Sequence, residues 1–131
     1  MATRHSRVLR TRRRIALSAT GALAAAVLAL PGSASAADEA FCTSVWLGSG
    51  SDCRASNQHW LYAVEGSVAN SGNYRICAAS AASSGGAMNS SWVCDYAYVM
   101  KLLNGNVYGV GAVHNGGPYT FQLYNGLQTW F

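Results

Sequence analysis

Charge is scarce in this chain and unevenly spread. Nine Lys/Arg and five Asp/Glu serve 131 residues, for a net charge of +4. Six of the nine cations (Arg4, Arg7, Arg10, Arg12, Arg13 and Arg14) fall in the first fourteen residues, and no acid does. Beyond Arg14 no basic cluster is left that would track phosphates, which excludes nucleic acid as a partner. Long hydrophobic runs are missing as well. The longest uncharged apolar stretch, residues 15–30, is shorter than the ~20 residues a membrane span needs. Cys-x-x-Cys is absent, which removes the usual zinc spacing. Phosphate loops, calcium-binding EF-hand loops and glycine fingerprints for dinucleotides are absent too. Asp52, after Gly48-Ser49-Gly50-Ser51, is a lone loop acid rather than a calcium set. No cofactor and no metal are expected. No stretch after residue 36 has sustained helical periodicity.

What is present begins with an export signature. A basic n-region, the apolar residues 15–30 and the small-x-small end Ala34-Ser35-Ala36 describe a secretory signal peptide. Residues 1–36 are read as signal, with cleavage after Ala36, and residues 37–131 as one secreted domain. Arg12-Arg13 before the apolar stretch resembles a twin-arginine motif, but ordinary Sec export is the expected route. The secreted part, 131 less 36, has 95 residues. It carries Arg54, Arg75 and Lys101 against Asp38, Glu39, Asp52, Glu65 and Asp95, a net of −2. No membrane association is expected once the signal is removed. The leader looks bacterial, so Asn89-Ser90-Ser91 is a chance match to a glycosylation acceptor.

All four cysteines, Cys42, Cys53, Cys77 and Cys94, lie after the signal. An even count in a short exported chain predicts two disulfides. Sequential pairing, Cys42–Cys53 and Cys77–Cys94, closes the shortest loops.

The remaining sequence reads as strands broken by turns. Asn104-Gly105, Asn115-Gly116 and Asn125-Gly126 match type I′ hairpin turns, and Asn70-Ser71-Gly72-Asn73 marks a fourth reversal. Seven strands are predicted, at 41–47, 58–69, 73–79, 90–103, 106–114, 118–124 and 127–131. Their spacing predicts an all-β domain: a small antiparallel β-sandwich or barrel joined by hairpins. An internal repeat supports this. Residues 62–76 align with 108–121 if Glu65 is an extra, bulged residue. Seven of fourteen positions then match, among them Gly72/Gly117 and Tyr74/Tyr119.

A hairpin at Asn104-Gly105 would place Val99 opposite Val110 and Asp95 opposite His114. On that register Ala97, Val99, Val110, Ala112, Tyr119, Phe121, Leu123 and Trp130 form the core face. Trp92, Tyr96, Tyr98 and Tyr124 then stand on the outer face, as a platform for sugar rings or an anchor for a protein. His114 with Asp95, or His59 with Glu65, are the acid–base candidates, with Arg54 and Arg75 as phosphate cations if the chain were a small ribonuclease. His59 and Glu65 lie six residues apart on one strand, roughly 20 Å. No Gly-x-Ser-x-Gly elbow is present.

In size, cysteine count and strand content the chain resembles small secreted bacterial β-proteins, including amylase inhibitors of the tendamistat type. The inhibitory Trp-Arg-Tyr motif of that family is missing and the cysteine spacings differ. The resemblance implies an inhibitor at the level of architecture only. The expectation is therefore a secreted, monomeric, non-catalytic binding protein, such as a hydrolase inhibitor or an antagonist of competing cells. A glycan- or cell-wall-binding module is the first alternative and a small hydrolase the second. The partner is an extracellular protein or polysaccharide.

Overall fold

The computed structural model describes residues 35–131. The expected signal segment lies outside them, but for Ser35 and Ala36. Eight strands follow: β1 (Ala37–Phe41), β2 (Trp46–Leu47), β3 (Asp52–Arg54), β4 (His59–Val68), β5 (Arg75–Ala81), β6 (Val93–Tyr96), β7 (Tyr98–Asn115) and β8 (Phe121–Trp130). They form an antiparallel sheet of order β1-β8-β4-β7-β5-β6, with β2 on β8 and β3 on β7. Both disulfides join the expected partners, Cys42–Cys53 and Cys77–Cys94. The fold is all-β and disulfide-braced, which suits an oxidising compartment.

Strand β7 organises the fold. Its first part, to Gly109, pairs with β4. Its last part pairs with β5 on one side and β3 on the other. The sheet turns a corner along this one strand, which folds β5 over β4. A Cβ at Gly66 of β4 would meet Val113 at 2.9 Å and Ile76 at 3.0 Å. Leu61, Val64, Val68, Phe121 and Leu123 pack with them in a buried core.

Two predicted hairpins do not form. Asn104 and Gly105 do adopt left-handed φ angles, 55° and 74°. The chain does not reverse there. Residues on both sides of the dipeptide pair antiparallel with β4, and Leu103–Asn106 bulge out at the shift between Leu61 and Ala63. Ten consecutive β4 residues offer a template to both parts, and buried Leu103 anchors the bulge in the core. Long-range pairing overrides the local turn preference. Asn125-Gly126 lies inside β8, opposite Ser67 and Gly66. The glycine is required there by close approach rather than by a turn: a Cβ would collide with the Phe41 ring. Asn115-Gly116 does end a strand. Buried Asn115 donates to Leu47 O and Tyr119 O and accepts from Gly117 N, which shapes the turn.

The facing of β7 residues differs accordingly from the hairpin register. Gly111 and Val113 point into the interior. Their alternates Val110, Ala112 and His114 therefore point the other way, where Trp92 packs on His114. Val110 and Ala112 are nonetheless fully buried, so this part of β7 is covered on both sides. Val99, Phe121 and Leu123 are buried as expected. Tyr119, assigned to the core, is instead 69% exposed, because it lies in the β7–β8 turn before β8 begins. The repeat matches strand–turn–strand units, β4 to β5 and β7 to β8. In each unit another strand lies between the two, so neither is a hairpin. The expected bulge at Glu65 is absent, since the β4 register breaks fall at Leu61/Ala63 and Ser67/Val68.

Candidate functional site

The two acid–base pairs are not assembled. Asp95 lies on β6 opposite Ile76, whereas His114 lies on β7 opposite Cys77, so β5 runs between them. The expected adjacency required the missing hairpin. Asp95 accepts a hydrogen bond from the Tyr96 amide at 2.8 Å. His114 lies against Trp92, ring centroids 4.9 Å apart, and its Nδ1 is buried without a partner. His59 and Glu65 stay at separate positions along β4. Glu65 accepts from the Tyr98 hydroxyl at 2.7 Å. Partial burial of the hydroxyl end, and then the Glu65 carboxylate, push the Tyr98 phenol well above its ordinary range. The two arginines are apart as well: Arg54 pairs with Asp52 at 2.9 Å, and Arg75 donates to Gly116 O at 3.2 Å.

His59 belongs to a different group. It stacks flat on Trp130, centroids 3.5 Å apart, and its Nε2 lies 3.9 Å from Glu39 Oε1. Glu39 accepts from Asn57 at 2.7 Å and from Gln128 at 2.9 Å. The Asn57 hydrogen bond, then the Gln128 one, hold its carboxyl below the usual range, with His59 adding to them and partial burial opposing. A folded-state value below the unfolded one stabilises the fold when the group is ionised. That contribution is present at neutral pH and lost as pH falls through the folded value, below the ordinary 4.5. Thermal melts over an acid series are expected to fall less steeply for Glu39→Gln than for the wild type.

Of the expected binding aromatics, Tyr96, Tyr98 and Tyr124 are exposed, while Trp92 is half-buried against His114. The structure adds aromatics that the hairpin register did not bring out. Cross-strand pairs on β4 and β7 share a face, and Trp60 pairs with Tyr108, Ala63 with Leu102 and Ser67 with Tyr98. Trp60, Leu102 and Tyr108 are about half exposed or more, at 59%, 49% and 47%. Trp60 and Tyr108 touch, centroids 5.4 Å apart, and Tyr62 meets Phe131 edge-on at 4.8 Å. The result is an aromatic stripe along the outside of the β4–β7 seam. The alternation Trp60-Leu61-Tyr62 was the available signal, but without the β4–β7 register it pointed to no surface.

A second feature lies at the turns. A cleft of about 240 Å³ is bounded by Asn73, Tyr74, Arg75 and Tyr96 on one side and by residues 115–119 on the other. A shallower groove continues past Gly72 and Thr120 to Trp46.

No known family model, curated protein or solved structure matches this chain.

Proposed function

We propose that this protein is an extracellular, non-catalytic binding protein that grips a protein partner with the outer face of the β4–β7 seam. The scaffold is a small sandwich or barrel, exported by the Sec route and acting as a monomer. The observation that carries the reading is the stripe made by Trp60 and Tyr108, which touch each other, and by Leu102 on the same seam beyond the Leu103–Asn106 bulge. These are large apolar side chains on a braced sheet that leave half their surface in water. Trp and Tyr dominate binding hot spots because each buries a large area at a low cost in side-chain entropy. A hydrogen-bonded sheet also presents them already ordered, which lowers the cost of association. The separation of Asp95 from His114 and of His59 from Glu65 speaks for binding over hydrolysis. The target class is a secreted hydrolase that is inhibited, or a surface protein of a competing cell.

The test is titration of the purified protein against a panel of extracellular proteases and amylases, alongside affinity capture from culture fluid. A specific partner is expected to bind with an affinity that Trp60→Ala lowers about tenfold or more, on the scale of an interface anchor. The variant's melting temperature should stay near that of the wild type, because the side chain is exposed. A partner bound equally well by Trp60→Ala and Tyr108→Ala would remove the stripe as its site.

A further inference from the structure

We propose that the turn-end cleft is a second binding site, for a carboxylate-bearing pyranose of an acidic polysaccharide. It is separate from the sheet stripe and does not depend on it. Three observations carry the assignment.

The first is the provenance of the walls. Tyr74 and Tyr119 occupy equivalent positions of the internal repeat, and both line the cleft. The β4–β5 turn and the β7–β8 turn thus each contribute one tyrosine. They are 38% and 69% exposed, and Tyr96 adds a third at 57%. Tyr74 is steadied from below by the Phe121 ring, centroids 5.5 Å apart. Aromatic faces beside polar edges take the C–H face of a sugar ring and still leave its hydroxyls free to hydrogen-bond. The exposed Asn73 amide adds a polar group at the rim.

The second is charge. Among the described residues Arg54 has a carboxylate partner, Asp52. Arg75 has none among them within ion-pair distance, although it lines the cleft. Its Nη1 donates to the Gly116 carbonyl at 3.2 Å, which orients the guanidinium, and its other donors have no acceptor among the described residues. Asp95, beside Tyr96 on β6, spends a carboxylate oxygen on the Tyr96 amide. A planar guanidinium fixed at one edge is suited to a carboxylate by a two-pronged contact. The ligand therefore complements the cleft with negative charge, in a domain that is otherwise net acidic.

The third is size. About 240 Å³ is below the ~300–1,000 Å³ of sites for drug-sized ligands. It holds one ring rather than a folded segment. The shallow groove toward Trp46 gives a chain of rings a path onward.

The test uses the full chain and measures binding to polygalacturonate, to the same polymer after methyl esterification, to cellulose and to poly-glutamate. Retention is expected on polygalacturonate. It should fall about tenfold or more with esterification, as loss of one charge-assisted contact implies. Arg75→Gln and Tyr119→Ala should each lower it to a similar degree, while Arg75→Lys should keep part of it. Trp60→Ala should leave it unchanged, which separates failure here from failure of the sheet-face site. Both Arg75 and Tyr119 are exposed, so unchanged melting temperatures are expected and serve as the folding control. Absence of binding to polygalacturonate overturns the proposal. So does equal binding to the esterified polymer or to cellulose, which would mean that charge is not read. Equal binding to poly-glutamate would mean that the sugar ring is not read.

Discussion

Replacing Gln128 with alanine is expected to destabilise the protein more than any change of a surface residue. The side chain is fully buried on β8. Its oxygen accepts the Gly111 amide at 2.7 Å, and its nitrogen donates to Glu39 Oε1 and to the Asn57 carbonyl, both at 2.9 Å. Gly111 lies just past the point where β7 leaves β4. Its amide has no strand to donate to on that side, and the glutamine stands in for one. Removing the side chain leaves this buried N–H unpaired and opens a cavity. The sum is about 3 kcal/mol, which for a domain of this size lowers the melting temperature by about 12–24 °C. Gln128→Leu separates the two causes. It refills most of the volume and still orphans the Gly111 amide, so it should recover only part of the loss. Melting followed by circular dichroism reads both variants. A Gln128→Ala midpoint within about 2 °C of the wild type would show that water or a shifted strand satisfies Gly111.

The same corner explains what could be read in the sequence. The disulfides were legible because each pair closes a short loop and loop closure is a local property. Alternation at Phe121 and Leu123 was legible because period two holds along any strand. Asn104-Gly105 misled for a specific reason. The dipeptide states a preference for positive φ, and that preference is met, but a four-residue bulge meets it as well as a hairpin does. Which one forms depends on whether β4 is long enough to pair with both flanks, and that is decided some forty residues earlier in the chain. The hairpin register brought Asp95 to His114, placed Tyr119 inside and left Trp60 and Tyr108 unremarked. Tyr96, Tyr98 and Tyr124 were found exposed all the same. The Tyr74/Tyr119 match was visible as a repeat, but its meaning was not. Only the folded chain brings the two turns to one cleft.

Deleting the Cys77–Cys94 bridge is the second change with a large expected effect, and it reaches the cleft. The two cysteines face each other on β5 and β6. Strand β6 is four residues long and, among the described strands, pairs only with β5. It lies next to the segment that carries Trp92, and it holds Tyr96 at the wall of the cleft. Closure over a separation of 17 residues is worth about 3 kcal/mol in the chain-entropy account. The Cys42–Cys53 bridge spans 11 residues, and on the same account its contribution is smaller by about 0.4 kcal/mol. The double variant Cys77→Ala/Cys94→Ala should therefore melt well below the wild type and somewhat below Cys42→Ala/Cys53→Ala. Cys77 is also 1% exposed, so truncating it adds a packing loss that widens the gap. Calorimetry of the two double variants gives the order directly. If Cys42→Ala/Cys53→Ala melts lower, loop length is not what ranks the bridges. Intrinsic tryptophan fluorescence should also report early solvent exposure of Trp92, which is half-buried against His114 next to the start of β6, in the Cys77→Ala/Cys94→Ala variant. Without the bridge β6 is held by four backbone pairs and, past its C-terminal end, by the Ala97 amide on Tyr74 O. It therefore frays from Val93 before the core opens, which loosens the cleft wall at Tyr96 while the β4–β7 stripe stays intact.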